Sequence, residues 1–402
     1  MAASSEAGQV LRGVRVLDLS RILAGPFCTM LLGDLGAEVV KVERPGTGDD
    51  TRTWGPPFAG GESAYYLCCN RNKKSITIDL GKAAGCELVK ELARVSDVLV
   101  ENFTPGLMHR FGLDFTTLHE LNPRLVYCSI TAYGQDGPYR ERPGYDMVLS
   151  AVGGLMGITG ERGGPPCKVG VAITDVLTGV YASSAILAAL LWRERSGKGQ
   201  YIDCSLLDAQ VSALANIASN YLVAGQEATR WGTAHESIVP YQVFPTKDRP
   251  IAIAVANQKL WVSFCHALGK EEWLADPRFE SNPKRVANRD VLVPLVTEAF
   301  AARTCSEWME ILLAASIPCG PVNNMASLFA DPQVQHRQMA ATVPHPTIGS
   351  LRLSGIPIKY SATPGQIRLP PPLLGQHTAE ILTSVLGYPA ERVAALRREE
   401  VV

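Results

Sequence analysis

One carboxylate sits where its surroundings invite chemistry. Asp175 lies in VAITDVLTGVYASSAIL, a stretch whose other members are almost all apolar or small. An aspartate there could cap the first turn of a helix, accepting backbone N–H groups and meeting the positive end of the dipole. It could also act as a nucleophile, because a carboxylate is deprotonated near neutral pH and needs no base to release it. Residue type and place alone favour the cap. The two uses are compatible, since a helix N-terminus also keeps a carboxylate ionised. Other reactive types show no such setting. The 10 cysteines are scattered with no C-x-x-C pair and read as free, mostly buried thiols. The 7 histidines show neither H-x-x-x-H nor H-E-x-x-H spacing, so no metal site is expected.

The elements that must hold Asp175 follow from the periodicities. In the first third, strand and helix signals alternate. VRVLDL is an apolar, β-branched run. Pro26 then opens a helical stretch that Gly36 stops, the usual asymmetry of helix punctuation. AEVVKVE, DVLVEN and LVYCSITAYG read as further strands, with helical patterns over 83–94 and 113–121. Such alternation predicts βαβ units with right-handed crossovers and a parallel, Rossmann-like sheet. The turn after the first strand is LSRILAGP, not G-x-G-x-x-G, which disfavours a nicotinamide enzyme. A long helix is expected from Asp175 to about residue 195, then a strand at YIDCSL and one helix over 207–223. IVPYQVF and PIAIAVA predict strands of a second unit, with helices over 259–268 and 291–301. From about Asp331 the chain reads as Pro-rich and irregular, with a last helix over 378–386. The expected division is therefore 1–224, 225–330 and 331–402, the last a linker and a return to the large domain.

Composition narrows the function. Lys+Arg number 38 against 39 Asp+Glu, which argues against a nucleic-acid binder. The N-terminal MAASSEAGQVLRG has no apolar signal core, and the longest apolar stretch, 179–192, falls short of a bilayer. No membrane association is expected. Lys73 and Lys74 read as a solvated charge run.

Several segments together carry a family resemblance: LDLSRILAGPFCTMLLGDLGAEVVKVERPGTGDDTR, NRNKKSITIDL, DVLVENFTPG, LNPRLVYCSITAYGQDGP and ITDVLTGVYASSAILAALLWRERSGKGQYIDCSLLDA. They resemble, in the same order, the family III CoA-transferases, and the likeness resumes in GTAHESIVPYQ, IPCGPV and PPLLGQHT. The resemblance implies a large Rossmann-like domain plus a smaller α/β domain in an interlocked homodimer. It implies coenzyme A thioesters as substrates, with no permanently bound cofactor, and carboxylic acids as the other partners. It makes Asp175 the nucleophile, which would form a mixed anhydride and then an aspartyl–CoA thioester. It also implies succinyl-CoA as donor and glutarate or 3-hydroxy-3-methylglutarate as acceptor, with succinate–malate or carnitine-linked transfer as the alternative, and a mitochondrial setting, otherwise a cytoplasmic one.

The resemblance further implies a binding site for the coenzyme. Leu23 and Ala24 match the first-turn pair, and Arg44 the basic residue after the second strand. Ile78, Asp79, Leu80 and Gly81 match the stretch at the adenine end, Asn102 and Phe103 a strand-end pair, and Arg110 a phosphate contact. Tyr133 belongs to the same set, whereas Thr131 stands where formyl-CoA transferase has a lysine. A shielding loop falls at GTAHES, 232–237, which is not glycine-rich; His235 and Glu236 there read equally as substrate-facing groups or, for His235, as a turn residue bonded to backbone. A dicarboxylate also needs a cation for its far end, and Arg21, Arg71, Arg140, Arg142 and Lys168 all qualify. The family's racemases need a histidine where this chain has Tyr145, before Asp146. A phenol, with its usual pKa of about 10, is a poor base at neutral pH, which favours transfer over racemisation.

Overall fold

The computed structural model describes residues 8–402. Six strands form one parallel sheet: β1 (Arg15–Asp18), β2 (Glu38–Glu43), β3 (Lys73–Thr77), β4 (Val98–Glu101), β5 (Val126–Thr131) and β6 (Tyr201–Ser205). Their order across the sheet is β3-β2-β1-β4-β5-β6. This is the doubly wound arrangement, in which the order reverses between β1 and β4 and opens a crevice at the carboxyl ends. The expected α/β fold with a Rossmann-like parallel sheet is the fold observed.

Both faces of the sheet are covered, which explains why its strands read as continuous apolar runs rather than alternating ones. On one face lie α1 (Ala24–Asp34) and, after α2 (Ala83–Arg94), α3 (Phe115–Leu121) and α4 (Asp146–Val152), the long α5 (Ile173–Ser196). Cys28 and Leu32 of α1 pack there with Ala182 and Ile186 of α5. On the other face Leu88, Val89 and Leu92 of α2 and Leu118 of α3 pack with the C-terminal residues Ile381, Leu382 and Val393. Gly197, at φ +73°, ends α5 in the left-handed conformation that glycine adopts without penalty. α5 has 24 residues and is long and apolar enough to cross a membrane, a length the apolar stretch 179–192 had understated. Half of its most apolar window is nonetheless buried inside the protein, as in a core helix.

Chain contacts separate two compact units. The first comprises residues up to Leu155, Val169–Ala224 and Pro332–Val402; the second comprises Met156–Lys168 and Gly225–Asp331. The 156–168 segment thus clusters with the second unit, which boundaries at 225 and 330 did not anticipate. The second unit has its own antiparallel sheet of β7 (Tyr241–Phe244), β8 (Ile251–Ala254) and β9 (Cys319–Pro321), with β8 central. Its core is aromatic: Trp261 stacks on Trp273 and Phe244 on Phe300.

Several elements differ from expectation for physical reasons. β3 was read as a charge run. Lys73 is in fact fully buried, its ammonium 3.1 Å from the Asp18 carboxylate and 2.8 Å from the Pro26 carbonyl. Lys74 bridges Glu38 and Glu380. The single helix expected over 207–223 is two, α6 (Leu206–Ala213) and Ala215–Ala224, broken where Ala215 takes φ +45°. The region after Asp331 is not wholly irregular. It holds an antiparallel hairpin, Ala340–His345 with Gly349–Ser354, and the chain ends in a further helix, Ala390–Arg398.

The tightest constraint on the site is the approach of α5 to α1. A Cβ added at Gly179 would lie 2.7 Å from the Ala24 carbonyl oxygen and 3.3 Å from the Cys28 amide. Both are backbone atoms, so neither yields cheaply. Gly179→Ala is therefore expected to push the helices apart and cost about 1–3 kcal/mol, an overpacking penalty larger than alanine's gain in helix propensity. The check is the urea midpoint of unfolding; a variant as stable as the parent sinks the constraint.

Candidate active site

Asp175 occupies the third position of α5, pressed toward the start of α1 by the Gly179 contact. Its residue is only 9% exposed. The capping role that its type suggests belongs to another residue. Asp146, at the first position of α4, accepts the Thr174 N–H at 2.8 Å and the Asp175 N–H at 3.3 Å. Among the described residues nothing donates to the Asp175 carboxylate itself. Burial, with a smaller contribution from the Asp146 charge, pushes its pKa up to about 7. The expectation that the helix N-terminus holds Asp175 ionised is thereby corrected, because Asp146 sits on those N–H groups and adds a like charge. Tyr65, which the sequence did not single out, packs in the same apolar cluster as Leu23, Ala172 and Val176. Its phenol is pushed up to about 12 by burial and, less, by the Asp175 carboxylate.

The loop from β1 to α1 faces this carboxylate and is held rigidly. Ile22 has φ +73°, a costly conformation for a β-branched residue. The surroundings enforce it. Its N–H reaches both Asp49 oxygens at 3.2 Å, and Asn102 brackets Arg21 by accepting its N–H at 3.0 Å and donating to its carbonyl at 2.7 Å. Asp49 is fixed in turn by the buried Lys41 ammonium at 2.9 Å, which also donates to the Ser20 carbonyl at 2.8 Å. A second buried pair lies alongside, with Arg52 donating to both Glu43 oxygens at 2.8 Å.

Two cavities that share Arg21 and Phe103 in their walls run along the carboxyl edge of the sheet. The inner one, about 310 Å³, is lined by Ile22, Leu23, Ala24, Asn102, Phe103, Thr131, Arg140, Arg142, Tyr145 and Asp175, among others. The outer one, about 380 Å³, is lined by Arg44, Ile78, Asp79, Leu80, Gly81 and Phe103, with Lys41, Glu43, Asp49 and Asp50. Most of the residues marked out in the sequence thus meet along one groove. Two do not. Arg110 is exposed on the short helix Leu107–Arg110, and only Leu107 of that helix lines the groove. Tyr133 is partly buried one residue beyond the lining Ala132, edge-on to Tyr139 with ring centres 5.6 Å apart. Thr131 lines the inner cavity, and its hydroxyl accepts the Gly134 N–H at 2.9 Å.

His235 and Glu236 belong to the second unit. The His235 imidazole accepts the Ser237 N–H at 3.1 Å, and its ring lies 5.3 Å from that of Tyr241. The Arg289 guanidinium donates to the carbonyls of both His235 and Glu236, fixing the backbone of this turn.

A doubly wound sheet, a long groove at its carboxyl edge and a dry carboxylate at one end define an α/β enzyme of acyl or group transfer. The pattern of CoA-transferase family III matches residues 11–378, and the chain belongs to that family; it is a CoA-transferase. It is 49% identical over 392 residues to the succinyl-CoA:glutarate CoA-transferase of Homo sapiens, covering 98% of this chain and 90% of that one. It is 42% identical to the succinate–glutarate CoA-transferase of Agrobacterium fabrum, covering 93% of this chain and 95% of that one. The crystal structure of a CaiB/BaiF family protein from Brucella suis superposes with a TM-score of 0.85 at 42% identity. That match covers 94% of this chain and 99% of that one.

An acid with a pKa near 7 is ionised only on the alkaline side, so kcat/KM for transfer should climb as pH rises through about 7 and then level off. Asp146→Asn keeps an oxygen to cap α5, since asparagine caps as well as aspartate, and removes the like charge. The climb should then move to lower pH without a loss of thermal stability. An unshifted profile would mean that Asp146 does not govern the acid.

Proposed function

We propose that this protein moves CoA from succinyl-CoA to a dicarboxylic acid, glutarate or 3-hydroxy-3-methylglutarate, with Asp175 as the covalent carrier. The observation that supports this most directly is the buried Asp175 carboxylate, free of donors among the described residues, in a cavity of about 310 Å³ that adjoins a second of about 380 Å³. The relatives named for succinyl-CoA and glutarate supply the substrate class.

In this reading the CoA moiety lies along the groove with its nucleotide end in the outer cavity. There Arg21 is paired with Asp50 at 2.8 Å, and Lys41 is occupied by the buried Asp49. Arg44 is exposed, with no carboxylate partner among the described residues, and is the cation available to a phosphate. Leu23, Ala24 and Phe103 line the path of the pantetheine arm toward Asp175.

One Asp175 oxygen attacks the thioester carbonyl. The C–S bond breaks, CoA leaves as the thiolate, and an aspartyl–succinyl anhydride remains. The thiolate then attacks the aspartyl carbonyl of that anhydride. Succinate departs and Asp175 becomes an aspartyl–CoA thioester. The acceptor carboxylate attacks this thioester and regenerates thiolate and a new anhydride. The thiolate finally attacks the acceptor's acyl carbon, forming the product thioester and freeing the Asp175 carboxylate. Protons balance without an added acid, because carboxylates and thiolate exchange as anions. Water must be kept out, since it would hydrolyse either intermediate. CoA thioesters serve as substrates, and no resident cofactor is needed for any of these steps.

The same proposal includes a homodimer. Apolar side chains are exposed along α5 at Leu191 and Trp192 and on Ala215–Ala224 at Leu222, 80% exposed, and Val223, 83% exposed. Apolar surface of this extent marks an interaction face. Sedimentation equilibrium at micromolar concentration should give twice the chain mass; a monomer there removes the dimer from the reading.

The carrier role is tested by incubating the enzyme with succinyl-CoA and quenching with hydroxylamine. A hydroxamate should be found by mass spectrometry at Asp175. Asp175→Ala should lose transfer from succinyl-CoA to glutarate by roughly 10³-fold or more, as nucleophile deletions commonly do. An unlabelled Asp175 in a wild-type enzyme that turns over would falsify the covalent mechanism.

A further inference from the structure

An acceptor that presents one carboxylate to Asp175 must house the other, and a second carboxylate without a partner in a desolvated cleft is expensive. Five cations qualified by sequence, and their surroundings sort them. Arg71 is buried and committed to Asp34 through two bonds of 2.9 and 2.7 Å. Arg21 is held by Asp50. Lys168 belongs to the second unit. Arg140 and Arg142 remain. Both line the inner cavity with Asp175, and neither has a carboxylate partner among the described residues.

Arg142 is the better prepared of the two. Its guanidinium carbon lies 3.6 Å from the centre of the Tyr139 ring, and its backbone N–H donates to the Tyr139 carbonyl at 2.9 Å. Tyr139 is itself braced edge-on by Tyr133. Stacking occupies the flat face of the guanidinium and leaves its N–H edges to form a paired contact with a carboxylate. The chain just beyond is anchored. A Cβ at Gly144 would lie 2.4 Å from the Leu149 side chain and 2.7 Å from that of Ala132, so the segment 142–145 is seated closely against the cleft wall. The cleft also carries the two acids Asp146 and Asp175, whose field a dianionic substrate would otherwise have to oppose.

We propose that Arg142 recognises the far carboxylate of the dicarboxylic acid, and of the succinyl group in the donor, while Arg140 adds positive charge beside it. This rests on the reading of the protein as a dicarboxylate CoA-transferase. Arg142 thereby sets the preference for diacids over acids with an uncharged end.

The test compares glutarate with glutaramate, which has the same length and a neutral far end, in the wild type, Arg142→Ala and Arg142→Lys. The wild type should favour glutarate by about 10–100-fold in kcat/KM, the range expected for hydrogen bonds to a charged group. Arg142→Ala should bring that ratio close to one, mainly by raising KM for glutarate, and Arg142→Lys should fall between. Inhibition by desulfo-CoA should stay within about twofold of wild type, the criterion here for an undisturbed coenzyme site. A variant that keeps the full preference for glutarate overturns the proposal. So does weakened desulfo-CoA inhibition with an unchanged ratio, which would assign Arg142 to a phosphate of the coenzyme. A wild type that transfers CoA to neither acid is a different failure, that of the diacid function itself.

Discussion

The site depends on how closely two helices approach. Because residue 179 has no side chain, the first turns of α5 lie on the backbone of α1, with room for nothing larger than hydrogen between Gly179 and the Ala24 carbonyl. That contact carries Asp175 against Leu23 and Ala24 and away from water. It also brings the loop after β1, the strained Ile22 included, to face the carboxylate. Widening this gap would admit solvent to the buried Asp175 carboxylate.

Beneath the loop the protein buries charge, at a cost offset by complete pairing. Lys41 meets Asp49, Lys73 meets Asp18, and Arg52 meets Glu43. Each pair joins the end of one strand to a neighbouring strand or loop, so their combined effect is to pin the carboxyl edge of the sheet. Ser20 and Thr29 complete the shell of Asp18. The pairs also use up most of the cations near the groove. Arg44 and Arg142 consequently stand out as groups able to meet an anion arriving from solution.

Much of this was legible in the sequence where local pattern and tertiary role agree. β1, β2 and β5 are apolar runs because both faces of the sheet are covered, and α2 was placed at 83–94 by its periodicity. β3 was missed because Lys73 looks like a surface residue until its partner, Asp18, is brought beside it from 55 positions earlier. The hairpin after Asp331 was hidden by its prolines, which sit at positions an isolated ribbon tolerates. In the site, Asp175 stood out by its apolar setting. Asp146 and Tyr65 did not, because their importance lies in what they approach. Asp146 lies 29 positions from the backbone N–H of residue 175 that it accepts. No spacing rule connects the two, and only the fold does.

The raised pKa of Asp175 looks at first like a defect in a nucleophile, since some of it is protonated at neutral pH. The proposed covalent cycle would give it another meaning. Burial and the Asp146 charge both act against the anion and leave a neutral group alone. An acylated aspartate is neutral, whether as anhydride or as thioester. The two causes that raise the pKa therefore destabilise the free carboxylate relative to both covalent intermediates. In that cycle they favour the acylated over the free carrier, and they leave the attacking oxygen poorly solvated and more basic. In the proposed cycle a fraction of active enzyme at pH 7 is given up for intermediates closer in energy to the starting state, which suits a carrier that is loaded and unloaded in turn.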